Sequence, residues 1–212
     1  MNVHIYILIA TISYLIGAIP YGLIVGLISR GIDIRNHGSG STGATNVLRT
    51  LGIPLALIVV ILDVSKPIIV IFIASFFING EPLIKAIAAT FVTLGHIWPI
   101  YAKFKGGKGI LTGIVGLIIL SPLSGIPSLI LAVLTISAFK IVSLGSIVGT
   151  VASLVSIIFL YQIGQEKNIE YVVYVIIGSI IIIFRHTDNI KRLINKTEPK
   201  IGNRVKKAKH EN

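Results

Sequence analysis

The sequence of 212 residues contains no cysteine, only one tryptophan and few charged residues. Without cysteine, disulfides, thiolate metal sites and cysteine nucleophiles are excluded. Charged residues make up 13% of the chain and hydrophobic residues 54%, and the mean hydropathy is +0.91. Ordinary soluble domains carry about twice this share of charge. We therefore exclude a soluble globular fold.

Long apolar runs take up most of the chain. A membrane core about 30 Å thick requires about 20 helical residues per crossing, and a continuous apolar run in lipid must be a helix because its backbone groups have to pair internally. We predict an all-α integral membrane protein with seven transmembrane helices. Their approximate bounds are 3–29, 53–78, 83–100, 110–120, 123–139, 144–163 and 171–184.

The fourth of these spans, 110–120, is too short to cross the membrane unaided. The first has no basic segment before it and no small-residue cleavage site after it, so we expect a retained span and not a signal peptide. We predict a single membrane domain over 1–200. A basic cytoplasmic tail, 201–212, would follow it and either contact anionic lipid headgroups or be disordered.

The basic residues are distributed unevenly over the predicted connections. Sixteen of the 19 lie on one side, only Lys85 and Lys167 lie on the other, and Lys66 lies within the second span. Because cytoplasmic connections carry the excess of Lys and Arg, we predict that the N-terminus is outside and the C-terminus in the cytoplasm. The functional residues should then lie in the cytoplasmic connections. Asp63 and Lys66 are three residues apart in one span, and we interpret them as a structural pair.

The first cytoplasmic connection contains a glycine- and serine-rich stretch, 38–46, followed by Arg49. Glycines allow successive backbone N–H groups to converge on an anion, and the neighbouring hydroxyls add donors. The stretch resembles nucleotide-binding motifs, but no strand precedes it and Ala44 occupies the position of the Walker lysine, which argues against a nucleotide. It predicts a phosphate site; the alternative is a flexible hydrated connector.

Two further basic connections contain polar residues suited to an anion. In 103–109, glycines flank Lys108 at the start of a predicted helix, where backbone N–H groups and the helix dipole favour a negative charge. His96, shortly before, is a second-rank candidate. Near the last span, His186 and Asn189 are three residues apart, so they share one helical face and can jointly donate to a polar substrate.

Together the three connections resemble the bacterial acyl-phosphate glycerol-3-phosphate acyltransferase family. In that family the first motif is Gly-Ser-Gly-Asn-x-Gly-Ala-Thr-Asn followed by an arginine, and the second is Gly-Gly-Lys-Gly. The third joins a histidine and an asparagine near a glutamate. The resemblance covers nearly the whole chain, at 31–52, 95–109, 140–146 and 186–200, and Ser41 replaces the asparagine of the first motif.

The resemblance implies an enzyme of the bacterial cell membrane that transfers a fatty acyl group from acyl phosphate to the 1-hydroxyl of sn-glycerol 3-phosphate. This would be the first acylation step of bacterial phospholipid synthesis, giving lysophosphatidate and phosphate. The active site would face the cytoplasm and use no cofactor, metal or acyl-CoA. We expect the partners to be both small-molecule substrates and membrane lipid, with a functional link to the enzyme that makes acyl phosphate. We expect no nucleic acid.

The resemblance also assigns site residues. It implies catalytic roles for Ser39, Arg49, Lys108, His186 and Asn189. It implies substrate binding by glycines and polar residues of the same connections, namely Gly38, Gly40, Gly43, Thr45, Asn46, Gly106, Gly107 and Ser143. We expect Ser39 to act by hydrogen bonding and not as a nucleophile, because its loop contains no evident base. The resemblance further implies that the substrate's own phosphate takes the proton from the hydroxyl of glycerol 3-phosphate.

The sequence leaves two other function classes as alternatives. A phosphate or phosphosugar transporter would also use basic glycine loops, but it predicts polar residues at mid-membrane depth, where only Asp63 and Lys66 qualify. An acyltransferase that uses acyl-CoA or acyl carrier protein would carry the His-x4-Asp pair. No aspartate stands at the fifth position after His4, His37, His96 or His186.

Overall fold

The computed structural model describes residues 3–202, and ten α-helices make up most of this range. They are α1 Val3–Gly17, α2 Tyr21–Arg30, α3 Ala44–Leu51, α4 Ile53–Ser75, α5 Pro82–Ile97, α6 Ile110–Leu120, α7 Pro122–Phe139, α8 Val142–Gln162, α9 Ile169–Arg185 and α10 Thr187–Ile194. The all-α prediction is confirmed. Of the predicted tail, only residues 201 and 202 lie within the described range.

The seven predicted spans all contain helix, but the helices differ in length. Five segments are long and apolar enough to cross a membrane: α1 with α2, α4, α5 with the turn after it, α7 and α8. Helix α9 has 17 residues and passes the same test only together with α10, from which it is bent by 57°. Helix α6 has 11 residues and is about 16 Å long. The integral membrane fold is supported, whereas the count of seven crossings stays a prediction.

Large apolar side chains cover the outside of the bundle. Ile61 and Phe72 of α4 are 67% and 63% exposed, and Leu134 of α7 and Ile180 of α9 are similarly open. A contiguous apolar surface of this kind is unusual on a soluble monomer. Lipid is the solvent that suits it.

The helices pack closely where glycines replace larger residues. A Cβ on Gly95 of α5 would lie 2.8 Å from the backbone nitrogen of Ala18, at the end of α1, and a Cβ on Gly149 of α8 would lie 2.8 Å from the Cβ of Ala132 in α7. Such small residues let helix backbones approach each other in a membrane. They hold α1 against α5 and α7 against α8.

The cytoplasmic connections of the predicted topology meet at one end of the bundle. Ser41 Oγ donates to the Gly106 carbonyl over 3.3 Å, and the backbone nitrogen of Ile201 donates to the Lys140 carbonyl over 2.7 Å. At the opposite end, the Tyr6 hydroxyl of α1 donates to Glu81, directly before α5. The N-terminal end of α1 and the C-terminal segment (195–202) therefore lie at opposite ends of the bundle.

Candidate active site

The first glycine loop (38–46) is organised around the side chain of Asn46. Its Nδ2 lies 3.0, 3.0 and 2.8 Å from the carbonyl oxygens of Ile34, His37 and Ser41, and its Oδ1 accepts from the Ser39 backbone nitrogen over 2.9 Å. Asn46 is only 1% exposed. Its amide atoms all bond to backbone atoms of residues 34–41, so Asn46 holds the loop in its conformation.

Glycine at position 38 is required by both conformation and space. Gly38 has φ +58°, and a Cβ on it would collide with the Asn46 side chain. Gly40 has φ +71°, and left-handed values of this kind are disfavoured for residues with a Cβ. The loop can therefore present the Ser39 hydroxyl on a tightly curved backbone.

The second glycine loop (103–109) turns back against the end of α5. The Gly107 backbone nitrogen donates to the His96 carbonyl over 3.0 Å. A Cβ on Gly106 would lie 2.7 Å from the Ile97 carbonyl oxygen, and one on Gly107 would lie 2.8 Å from the His96 ring carbon Cδ2. The close approach requires both glycines, and it places Lys108 at the rim of the bundle.

Lys108 is brought against the third connection. Its Nζ donates to Asn189 Oδ1. Burial lowers the pKa of Lys108 to about 8, an effect partly opposed by the nearby Glu198 carboxylate and reinforced by the cations Arg192 and Arg49. The ammonium is mostly charged at pH 7 and becomes neutral in the mildly alkaline range.

The carboxylate of Glu198, in the segment after α10, links the start of α8 to α10. Oε1 accepts from Ser143 Oγ over 2.9 Å and from Asn189 Nδ2 over 2.7 Å, and Oε2 accepts from Arg192 Nε over 2.7 Å. Burial alone would raise its pKa, but the hydrogen bonds from Arg192, Asn189 and Ser143 outweigh burial and hold the pKa below its ordinary value. The carboxylate is ionised, and its three hydrogen-bond donors are fixed around it.

Glu198 was not among the residues predicted for the site. The available signal was the glutamate of the family's third motif, because Glu198 is the only glutamate in 186–200. Arg49 is also tied to the C-terminal segment, because its guanidinium donates to the Pro199 carbonyl over 3.4 Å. The segment 195–202 thus lies against the site.

His186 directly follows helix α9 and is 2% exposed. Its Nδ1 lies 2.8 Å from the Ile182 carbonyl oxygen, so Nδ1 carries the hydrogen. Burial lowers the pKa of His186 to about 4, with Lys108 and Arg185 adding to the effect. The ring is neutral at pH 7. Its Nε2 is therefore a hydrogen-bond acceptor, in contrast to the donor that we expected from the sequence.

Two cavities meet between these residues. The inner one has a volume of about 350 Å³ and continues along apolar side chains of α6 and α7, including Ile114 and Val133. The outer one has a volume of about 570 Å³ and is rich in cations, including Lys105 and Arg185. Both are lined by one shared set of polar residues: Ser39, Ser41, Arg49, Lys108 and Asn189.

The structure brings together all but one of the predicted site residues at these cavities. The exception is Gly107, which lines neither cavity and packs against the His96 ring instead. The inner cavity is also lined by Asp63, which we interpreted from the sequence as structural, and by His96, the second-rank candidate. Within 3–202, no group of three or more His, Cys, Asp or Glu side chains is placed to hold a metal ion.

Comparisons with known proteins agree on one family. The family described as Glycerol-3-phosphate acyltransferase matches residues 7–196. The glycerol-3-phosphate acyltransferase of Prochlorococcus marinus (strain NATL1A) is 40% identical over 196 residues, which cover 92% of this chain and 98% of the relative. That of Thermoanaerobacter sp. (strain X514) is 42% identical over 200 residues, covering 94% and 97%.

Two solved structures share the fold. The crystal structure of PlsY (YgiH), an integral membrane glycerol 3-phosphate acyltransferase, in its glycerol 3-phosphate form matches with a TM-score of 0.84 at 31% identity, covering 93% of this chain and 96% of that one. The lysophosphatidic acid form matches with a TM-score of 0.81 at 30% identity, covering 93% and 95%.

Proposed function

Because this chain belongs to the glycerol-3-phosphate acyltransferase family, we propose that it transfers a fatty acyl group from acyl phosphate to the 1-hydroxyl of sn-glycerol 3-phosphate. The hydroxyl oxygen bonds to the acyl carbon, and the bond from that carbon to the phosphate oxygen breaks. Lysophosphatidate and phosphate leave, and the hydroxyl proton passes to the departing phosphate.

The observation that supports this proposal most is the meeting of an apolar and a cationic cavity at one polar wall. Glycerol 3-phosphate is small and doubly anionic, and it suits the outer cavity with its lysines and arginines. A fatty acyl chain is apolar, and it suits the inner cavity between α6 and α7. The phosphate of the acyl donor and the acceptor hydroxyl would then meet at the shared wall, beside Ser39, Arg49 and Lys108.

Catalysis in this arrangement is positioning and charge stabilisation. Acyl phosphate is already activated, so holding its carbonyl beside the acceptor hydroxyl contributes much of the rate. Arg49 and Lys108 stabilise the two phosphates, and Ser39 donates a hydrogen bond from the first glycine loop. His186 accepts a hydrogen bond from the glycerol through Nε2, and Asn189 is held beside it by Glu198.

The proton of the acceptor hydroxyl goes to the phosphate of the donor. A general base is most effective when its pKa lies near the working pH, and the pKa of about 4 places His186 well below it. A phosphate dianion lies beside the reacting hydroxyl in the proposed complex. His186 therefore orients the hydroxyl, and the leaving group removes its proton.

The cationic end of the bundle faces the cytoplasm in this proposal. The uneven distribution of basic residues supports this orientation, and the acyl chain would enter the inner cavity from the bilayer between apolar helices. The enzyme would act at the first acylation step of bacterial phospholipid synthesis. Its donor would come from a separate enzyme that makes acyl phosphate.

The donor is tested with the purified protein in detergent or lipid nanodiscs. Labelled glycerol 3-phosphate is offered with acyl phosphate, acyl-CoA or acyl carrier protein of the same chain length, and lysophosphatidate is measured. We expect product only with acyl phosphate. Turnover with either thioester at a comparable kcat/KM would refute the proposed donor and leave the acceptor unaffected.

A further inference from the structure

Three ionisable side chains form a buried row inside the membrane part of the bundle. Lys66 Nζ lies 2.7 Å from Asp63 Oδ1, and His96 Nδ1 faces the same oxygen at 3.5 Å. Asp63 is 2% and Lys66 1% exposed. Asp63 Oδ1 makes no aligned hydrogen bond to either group, so it meets both Lys66 and His96 through close electrostatic contacts.

The His96 end of the row holds the second glycine loop. The His96 carbonyl accepts a hydrogen bond from the Gly107 N–H over 3.0 Å. The imidazole ring of His96 occupies the space that a Cβ on Gly107 would need. Lys108 is the next residue in the chain. The His96 ring thus packs between Asp63 on α4 and the loop that carries Lys108.

At the other end of the row, Lys66 contacts the backbone just before α2, the helix that packs against the first glycine loop. Lys66 Nζ donates to the carbonyls of Ile19, over 2.7 Å, and Gly17, over 3.3 Å, where α1 breaks before α2. In α2, a Cβ on Gly22 would lie 2.9 Å from the carbonyl carbon of Thr42 in the first glycine loop. The row therefore links the backbones behind both anion-binding loops.

A buried ion pair is weak evidence for a role in stability alone. Replacing a buried ion pair by apolar residues of similar volume is often neutral or stabilising, because desolvation offsets the attraction between the charges. A charged pair within a membrane span is costly and usually marks a functional region. Here the pair lies beside the inner cavity, which Asp63 and His96 both line.

We propose that Asp63, with Lys66 and His96, is a positioning unit that holds the second glycine loop at a set distance from the first. Its effect on the reaction is to keep Lys108 where it meets the phosphate of glycerol 3-phosphate. This inference rests on the proposed function for the assignment of Lys108 to that phosphate. The three residues act through the loops and do not exchange protons with the substrate.

Two charge-balanced double variants test the unit without leaving an unpaired buried charge. Asp63→Asn/Lys66→Met removes both charges and keeps an oxygen facing His96, whereas Asp63→Leu/Lys66→Met removes that oxygen as well. We expect the Leu/Met variant to raise the KM for glycerol 3-phosphate about 3- to 10-fold, a loss comparable to that of one buried polar contact. Its kcat and its KM for the acyl donor should stay within twofold, and the Asn/Met variant should recover most of the loss.

His96→Ala provides the second measurement. Alone it should raise the same KM by a similar factor, and in the Leu/Met background it should add less than twofold, because both changes break one contact. Glu81→Gln is the matched control, since it weakens a polar contact between α1 and α5 at the opposite end of the bundle. It should lower thermal stability without changing either KM.

Three results would overturn the proposal. Equal KM values for glycerol 3-phosphate in all folded variants would show that the row is only structural. A fall in kcat with unchanged KM would indicate direct participation of Asp63 or His96, and additive effects of His96→Ala would separate it from Asp63. The acceptor KM is measured with whichever acyl donor supports wild-type turnover, so failure of the proposed donor is seen separately.

Discussion

Lys108 gives the sharpest prediction because its charge changes within the range in which the enzyme can be assayed. Its pKa of about 8 is below the ordinary value of a lysine because the side chain is buried. A lysine loses its charge as the pH rises through its pKa, so phosphate binding weakens above pH 8. We expect kcat/KM for glycerol 3-phosphate to fall about tenfold per pH unit above this value.

The fall in kcat/KM should level off once the full contribution of the Lys108–phosphate contact is lost. A hydrogen bond to a charged group contributes about 1.5–3 kcal/mol, which corresponds to roughly 10- to 150-fold in affinity. Lys108→Ala should show this loss at pH 7 and no alkaline fall. Lys108→Arg stays protonated throughout, so its kcat/KM should be flat to pH 9.5 even if misfit lowers its absolute value.

The assay measures lysophosphatidate from pH 6 to 9.5 over a full range of both substrates, with enzyme-free hydrolysis of the acyl donor subtracted. Lys105→Ala is the matched control, because Lys105 is an exposed lysine of the same loop that lines only the outer cavity. Its kcat/KM should show the same alkaline fall as that of the wild type, whatever its absolute value. An unchanged alkaline fall in Lys108→Arg would assign the titration to another group and refute this reasoning.

Four further predictions concern topology, chemistry and the network around the site. Single cysteines at the exposed positions Asn79 and Lys196 should react with an impermeant thiol reagent in intact cells at 79 and not at 196; the reverse pattern would refute the N-outside orientation. If Ser39 formed an acyl-enzyme, acyl phosphate alone would release a burst of phosphate equal to the enzyme, and we expect none by rapid quench. His186→Gln keeps a hydrogen-bond acceptor, so its kcat/KM should fall less than that of His186→Ala; equal, near-total loss in both, with the fold intact, would indicate proton transfer by the imidazole. Glu198→Gln should lower the Tm at pH 7. Because the native pKa of Glu198 is depressed, the wild type should lose this extra stability as the pH falls below the ordinary carboxyl range, so its Tm should approach that of the variant. Parallel Tm–pH curves for the two proteins would contradict this.

Much of the membrane architecture could be read from the order of residues. An apolar run of about 20 residues has one stable form in lipid, so the helices and the polar connections between them follow from local composition. The glycine motifs likewise predicted tight turns of the backbone at 38–43 and 106–109, because the conformational freedom of glycine is a property of the residue itself. The ion pair of Asp63 with Lys66 followed from their spacing on one helix.

Roles that depend on contacts between distant segments needed the tertiary structure. Asn46 matched a site motif, yet its amide is engaged with the loop backbone. Glu198 became a centre of the site only because the segment after α10 folds back to Ser143. The donor or acceptor character of His186 was decided by the Ile182 carbonyl and by burial.

The sequence by itself determined which stretches are helices in lipid and which connections are suited to anions, since both depend on the chemistry of neighbouring residues. Only the tertiary structure decided that the connections converge, that an apolar and a cationic cavity share one wall, and that His96 stands between Asp63 and Gly107. The physical reason is that side-chain packing sets burial, hydrogen-bond partners and the distances between charges. These quantities belong to residues far apart in the chain, and no local pattern encodes them.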